Sequence, residues 1–335
     1  MMKNGDEILI CPKVAIVILN WNGESDTIEL LSGLLSVTYP ALMLIVIDNA
    51  SEVVSVEVLT EWIEANCKKV RQHEEKAVFE AEHEYGHESI EVRLIRSSRN
   101  LGFCEGNNLG IAEAVRLGAE YVLLMNNDTL VTPGFLEPMV SAASDRLAGL
   151  VGGIITYCDD KERVWWAGGK FDAFLNTARL YDGEKITAIG DNESFSTEWI
   201  SGCMMMIPSR IYKELGGLPA YYFIWGEEWD YSLMISNAGY RLVVATGSVI
   251  CHKVGRSLGI MQPLNYYYGI RNGLYLRKKY LSRARWFFWF AYYMMNRTIR
   301  YLHLMLTGRV DLVRAGCSAI TDFVRGKSGK WDDHD

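Results

Sequence analysis

The chain has 335 residues, 49% of them apolar, 22% charged and 12% aromatic, with a formal net charge of -7. That length suits roughly two domain-sized units, or one large unit with an appendage, and the composition excludes disorder, collagen and small disulfide scaffolds. Seven cysteines, an odd number with no CxxC pair, argue against structural zinc and a disulfide framework and for a reducing compartment.

The opening Met1-Met2-Lys3-Asn4-Gly5-Asp6 lacks the long apolar stretch of a signal peptide. Val14 to Leu19 is a continuous apolar run, as expected for a strand covered on both faces. Asp26 with Glu29 three residues on reads as an N-cap and capping box, followed by the helical stripe Ile28, Leu31, Leu34 and Leu35. Leu42 to Ile47 reads as a second strand and Val53 to Ala65 as a helix. Arg71 to Ser89 is rich in Glu, His and Lys and reads as an exposed insertion. Val92 to Ile95 is the third strand, Gly106 to Leu117 a helix closed by Gly118, and Tyr121 to Met125 the fourth strand. This alternation predicts an α/β fold with a doubly wound, mostly parallel sheet flanked by helices.

Short strand-like pieces occupy Gly152 to Pro208, and a later strand, Tyr240 to Ala245, leads to His252. Beyond Gly255 the chain turns into Tyr-rich, basic helices, so residues 1–255 are expected to form the main domain and 256–335 a helical C-terminal region. Arg271 to Arg314 carries a charge of +9 and leaves -16 for the remainder. An acidic body with a basic, aromatic tail speaks against a nucleic-acid partner and for contact with anionic lipid. The most hydrophobic uncharged run, Trp286 to Asn296, is too short to span a bilayer, which needs about 20 apolar residues. Basic residues beside Trp286-Phe287-Phe288-Trp289-Phe290 fit either an interfacial helix or helices packed on protein.

Ligands of open parallel sheets bind beyond the carboxyl ends of the strands. Here the four early strands run into Asn20-Trp21-Asn22-Gly23, Asp48-Asn49-Ala50-Ser51, Arg99-Asn100-Leu101-Gly102-Phe103 and Asn126-Asn127-Asp128-Thr129. Each alone is ordinary turn chemistry; four on one edge predict a built pocket. GxGxxG after the first strand and GxxxxGK[ST] anywhere are both missing, which excludes a dinucleotide site and a P-loop. Asp128, directly after an apolar strand, suits a hard divalent cation completed by phosphate oxygens and water, and His252 is either a further ligand or structural.

These runs taken in order, with Val46-Ile47 and Gly106-Asn107-Asn108-Leu109-Gly110-Ile111, resemble family-2 glycosyltransferases of the GT-A fold, in particular the rhamnosyltransferase-like branch. The resemblance covers about Val14 to Ser257. It implies a GT-A catalytic domain, a nucleoside-diphosphate sugar donor, a Mg2+ or Mn2+ cofactor and hexosyl or rhamnosyl transfer to a glycan or lipid-linked acceptor in cell-surface polysaccharide synthesis. Position by position, it gives Asp48 to the nucleotide base and Asn20 and Asn22 to the loop around the nucleotide. Asn100, Gly102 and Asn107 shape the nucleotide-sugar cradle, and Asn126, Asn127 and Asp128 stand at the DXD-type motif with Asp128 as metal ligand. His252, in a His-Lys pair with Lys253, completes the metal site.

Glu227-Glu228 matches the Glu-Asp pair that supplies the catalytic base, with Glu228 preferred over Glu227 or Asp230. The same acids also suit the start of a helix after Trp229. Of Trp165, Trp166, Trp225 and Trp229, at least two are expected in the core and the others at an acceptor. Where the family often has Arg shortly after the acidic pair this chain has Met234, so Arg256 or Arg271-Asn272 is the expected substitute. The resemblance places the protein in the cytoplasm, peripheral at the inner face of the cell membrane. Two alternatives remain, a sugar-nucleotide-forming nucleotidyltransferase and an inactive carbohydrate- or membrane-binding scaffold. Asn20-Trp21-Asn22-Gly23 lacks the Gly-rich basic loop of the first, and an intact Asp128, Glu228 and His252 argue against the second.

Overall fold

The computed structural model describes residues 11–73, 78–85, 88–190, 192–254 and 262–331. Its central parallel strands are β1 (Val14–Asn20), β2 (Leu42–Asp48), β5 (Glu88–Arg96) and β6 (Tyr121–Asn126). Val14 to Ile18 are fully buried, as the unbroken apolar run requires, the Val and Ile side chains each contributing about 2 kcal/mol of burial. Around them lie α1 (Glu24–Leu34), α2 (Val53–Asn66) and α3 (Gly102–Arg116), the last closed by Gly118 at φ 84°.

The second half extends the same sheet. β7 (Thr129–Val131), α4 (Leu136–Ser144), β8 (Ala148–Tyr157) and the short strands β9 (Val164–Trp166), β10 (Gly169–Phe171) and β11 (Thr177–Arg179) come first. After them follow β12 (Ser194–Thr197), β13 (Met204–Pro208), α5 (Ser209–Leu215), α6 (Glu227–Asn237) and β14 (Arg241–His252). β13 joins β6 in antiparallel register, β8 lies beyond it, and β14 runs parallel to β8. A sheet of this mixed kind matches the mostly parallel, helix-flanked fold expected from the alternation. Three helices end the chain, α7 (Pro263–Tyr280), α8 (Arg283–Leu306) and α9 (Val310–Arg325), packed around their own apolar cluster that includes Tyr267, Tyr268, Leu312 and Phe323.

Four local expectations are corrected. The stretch expected as an exposed insertion is largely sheet: β3 (Lys68–His73) and β4 (Val78–Tyr85) add antiparallel strands to β5. Phe79 and Ala81 turn inward, while Glu80 on the other face pairs with Arg93 at 2.6 Å, so charges that mask the period-two pattern are cross-strand partners. Residues 74–77 and 86–87 of that stretch lie outside the described residues. Asp26 is not an N-cap, because α1 begins at Glu24 after Gly23. Asp26 instead accepts from Lys253 Nζ at 2.8 Å, and Glu29 accepts from the same ammonium, fastening α1 to the end of β14.

α6 starts at Glu227 rather than after Trp229. Lastly, Cys158 and Cys251 form a disulfide across a sequence separation of 93, which removes the premise for a reducing compartment. Adjacent strands β8 and β14 bring the two together, a proximity invisible in their spacing. Closing so long a loop restricts the unfolded chain by about 4.6 kcal/mol on a chain-entropy estimate.

Candidate active site

Because β1, β2, β5 and β6 run parallel, the polar segments that follow them collect on one sheet edge. A chain of hydrogen bonds joins them. Asn20, fully buried at the end of β1, donates from Nδ2 to Asp48 Oδ1 and to Ser51 Oγ, both at 3.2 Å. Its Oδ1 accepts from Thr27 Oγ1 at 2.9 Å, and Asn127 Nδ2 in turn donates to Thr27 Oγ1 at 3.1 Å. Asp48 is thereby linked through three side chains to the turn that carries Asp128. Asn22, at φ 49°, bridges the same loops: its N–H donates to Ser51 Oγ and its side-chain oxygen accepts from Glu52 N–H at 2.8 Å.

The third loop is built separately. Asn49 Nδ2 donates to Asn100 Oδ1 at 3.1 Å, and Asn100 Oδ1 also accepts from Gly102 N–H at 2.8 Å. Gly102 sits at φ 72°, where a Cβ would lie 2.4 Å from the Phe223 carbonyl oxygen, so no other residue fits without moving backbone. Asn107 is buried inside α3 and donates to the Phe103 carbonyl one turn back at 2.9 Å. Asn126 closes the turn through its backbone, with N–H to Cys203 O at 3.1 Å and its carbonyl accepting from Thr129 Oγ1 at 2.7 Å.

Asp128 and His252 meet through the pairing of β7 with the end of β14. His252 Nε2 lies 3.0 Å from Asp128 Oδ1 but out of line for a hydrogen bond. Asp128 Oδ1 and both His252 ring nitrogens are buried with no hydrogen-bond partner among the described residues. Buried polar atoms are seldom left so, and a carboxylate beside an imidazole is a donor set that a divalent cation satisfies. Among the described residues no group of three or more His, Cys, Asp or Glu could hold a metal, so a cation here would draw its other ligands from substrate and water, as Mg2+ usually does.

The N-terminus of α6 is tied to the same turn through the Gly202–Cys203 segment. Gly226 at φ 95° turns the chain into the helix, and Trp225 before it holds φ 71°, a strained setting for a side chain of that size. Glu228 Oε2 accepts from Gly202 N–H at 2.6 Å, and the next residue, Cys203, supplies the carbonyl that anchors Asn126. One peptide segment therefore separates the α6 acids from the Asp128 turn. Burial pushes the Glu228 carboxyl up to about 7 even though the Gly202 N–H and the Arg179 charge oppose it. Burial, then the neighbouring Glu228 charge, raises Glu227 to about 8, and its Oε2 has no hydrogen-bond partner. Asp230 is excluded as a free base: Tyr221, Lys279 and Tyr280 all donate to its carboxylate, with Lys279 Nζ and Tyr280 Oη each at 2.7 Å.

A raised acid has a signed effect on stability. Folding favours protonated Glu227, so its contribution is complete below the unfolded value near 4.5 and is lost as pH rises through about 8. Glu227→Gln should therefore melt higher than the parent above pH 8 by on the order of a few kcal/mol of stability, and no higher near pH 4. Thermal melts at the two pH values check this; equal gains at both would refute the assignment.

Trp166 is fully buried, and Trp229 packs edge-on against Trp199 with centroids 6.3 Å apart, so two of the four tryptophans are core as expected. Trp165 meets the His252 ring at 4.6 Å and Trp225 is 39% exposed, which leaves both at the site. Arg271 is fully buried, donating to Asn272 Oδ1 and Tyr267 Oη, so it does not reach the opening as a substitute for the missing Arg. Asn272 holds the approach to α6 by donating to the carbonyls of Ile224 and Trp225, both at 2.7 Å. Arg256 lies outside the described residues. The cation that the sequence reading missed is Arg179, at the end of β11, stacked 4.3 Å over Trp165 and near enough to act on Glu228. Its own sequence neighbourhood carries no signal; only the β10–β11 hairpin brings it back to the site.

A mostly parallel sheet whose strand ends gather Asn20, Asp48, Asn100 and the Asn126–Asp128 turn on one edge is the frame in which this chain's relatives are found. A family profile described as glycosyltransferase-like family 2 matches residues 12–264, and the chain belongs to that family. Over 196 residues it is 22% identical to the dTDP-rhamnosyl transferase RfbF of Shigella flexneri, a match over 56% of this chain and 64% of that protein. The fold is that of GT-A glycosyltransferases. It superimposes on GalNAc-T7 bound to UDP, GalNAc and Mn2+ with a TM-score of 0.55 at 17% identity, covering 73% of this chain and 44% of that one. On the mannosyltransferase PcManGT from Pyrobaculum calidifontis, bound to GDP-Man and Mn2+, the score is 0.54 at 16% identity, over 95% and 76% of the two chains.

Proposed function

We propose that this protein is an inverting, metal-dependent glycosyltransferase. It moves a hexosyl or rhamnosyl unit from a nucleoside-diphosphate sugar to a hydroxyl of a glycan or lipid-linked acceptor in cell-surface polysaccharide synthesis. The observation that carries the reading is that two features are tied to the one Gly202–Cys203 segment: the turn of the unpartnered Asp128–His252 pair, through Asn126 N–H to Cys203 O, and the buried Glu228 carboxylate, through Gly202 N–H. Residues 1–255 form the catalytic part and 256–335 a C-terminal region at a membrane surface.

In this reading Asp48 and the Asn20–Asn22 loop bind the nucleotide, while the Asn100–Gly102 loop and Asn126–Asn127 shape the sugar cradle. Asp128 and His252 would hold Mg2+ or Mn2+, which when bound would supply Lewis-acid stabilisation of the charge on the diphosphate. Arg179 adds fixed positive charge beside it, in the place of the Arg that Met234 lacks. Glu228 accepts the proton of the acceptor hydroxyl as its oxygen attacks the anomeric carbon in line. The bond to the diphosphate oxygen breaks, the nucleoside diphosphate leaves with the electron pair, and a single displacement inverts the anomeric centre. The exposed Trp225 ring, two residues before Glu227, offers a face to the acceptor.

A thermal-shift screen of nucleoside-diphosphate sugars with and without Mn2+ tests the reading. At least one donor should stabilise the protein only with the cation, by about 2.7 kcal/mol at a hundredfold excess over its dissociation constant. Release of pyrophosphate from a nucleoside triphosphate would instead identify a nucleotidyltransferase, and stabilisation without any donor turnover a binding scaffold.

A further inference from the structure

α8 has two faces of different fate. Trp286, Trp289 and Tyr293 turn inward against the helical cluster, and Arg297 donates to Tyr266 Oη at 2.7 Å. On the opposite side Phe288, Tyr292, Met295, Ile299, Leu302 and Leu306 recur at three- and four-residue spacing, each between 54% and 87% exposed. They form one uninterrupted apolar stripe about 27 Å long. Single exposed apolar residues need no explanation, but a continuous row of six marks an interaction surface. Arg285 is exposed along its border, Arg300 is exposed on the α7 side with its guanidinium 6.0 Å over the Tyr266 ring, and no Asp or Glu occurs anywhere in α8. Asp311, the next acid in the chain, is already paired with Arg309 at 2.9 Å.

We propose that the outer face of α8 docks on an anionic lipid bilayer, lying in the plane of the headgroups with its apolar row among the upper acyl chains. Among the described residues no helix is long and apolar enough to cross a membrane, and α8 is fastened along one side by α7 and α9, which suits a helix that lies flat. The choice of occupant follows from charge. A second copy would bring the same basic border to its partner with no carboxylate on the helix to neutralise it, whereas acidic headgroups meet Arg285 and Arg300 favourably. α7 connects this surface to the catalytic helix, because Lys279 and Tyr280 hold Asp230 of α6 and Asn272 holds the Ile224–Trp225 backbone. The inference deepens the transferase reading, on which the use of a lipid-linked acceptor rests; the docking itself rests on α8 alone.

The full chain is floated with vesicles of phosphatidylcholine alone and of phosphatidylcholine mixed about equally with phosphatidylglycerol. Binding to the anionic vesicles should exceed that to the neutral ones by about tenfold or more and weaken with added salt. Phe288→Glu with Ile299→Glu should lose about tenfold or more on the anionic vesicles. Arg285→Glu with Arg300→Glu should erase the preference for anionic lipid. All four positions are exposed, and unchanged melting and donor binding confirm that the variants are folded. The proposal is overturned if the parent fails to float, binds both vesicles equally, or forms a dimer in light scattering that Ile299→Glu splits. Flotation without donor binding would leave the surface and remove the transferase reading; donor binding without flotation would do the reverse.

Discussion

Glu228→Gln keeps donor and cation binding and lowers turnover by about a thousandfold, within the range that a positioned general base contributes. The amide retains the side chain's length and can still accept from Gly202 N–H through its oxygen, so the helix start is preserved while the proton acceptor is lost. The parent enzyme should also lose activity as pH falls. With its carboxyl near 7, Glu228 is deprotonated above that value and protonated below it, so kcat/KM drops about tenfold per pH unit on the acid side. The residual activity of the variant has no titrating base and should lack that limb. Normal turnover by Glu228→Gln, or an unchanged acid limb, would transfer the role to another group, with Glu227 next in line because it faces the same interior with an unpartnered oxygen.

Asp128→Ala abolishes the part of donor binding that depends on the divalent cation and reduces kcat/KM on the order of a thousandfold or more. In the thermal-shift assay the variant should show the same small shift with Mn2+ as without it. The folded state should tolerate the change, because Asp128 Oδ1 has no hydrogen-bond partner to lose and the Asp128 carbonyl continues to accept from Lys253 N–H at 2.9 Å. That separates the outcome from misfolding, since melting without ligand stays near that of the parent. A full Mn2+-dependent shift in Asp128→Ala would show that the cation is held elsewhere.

Much of this arrangement is legible in the sequence. The apolar runs at β1, β2 and β6 could only be strands covered on both faces, and the polar residues after them had to share an edge once the strands were parallel. Asp48, Asp128 and Glu228 stand out for the same reason: each is an acid at the abrupt end or start of an element, where a side chain is held rigidly. Short-range signals were less faithful at boundaries. Asp26 has the composition of a cap but lies inside the first turn, and its partner Lys253 is more than two hundred residues away. The charged stretch before β5 hid two strands because Glu80 and Arg93 satisfy one another only across the sheet.

From the sequence alone came the strand periods, the loops that carry Asn, Asp and Gly, and the acids before a helix, because each is a property of neighbours along the chain. Tertiary structure alone decided which distant groups become neighbours: Cys158 bonded to Cys251, Arg179 folded back over Trp165, Asp230 consumed by Tyr221, Lys279 and Tyr280, and Asp128 set against His252. It also decided the protonation of Glu227 and Glu228. Burial sets the cost of a charge, and burial belongs to the packed molecule rather than to any stretch of residues.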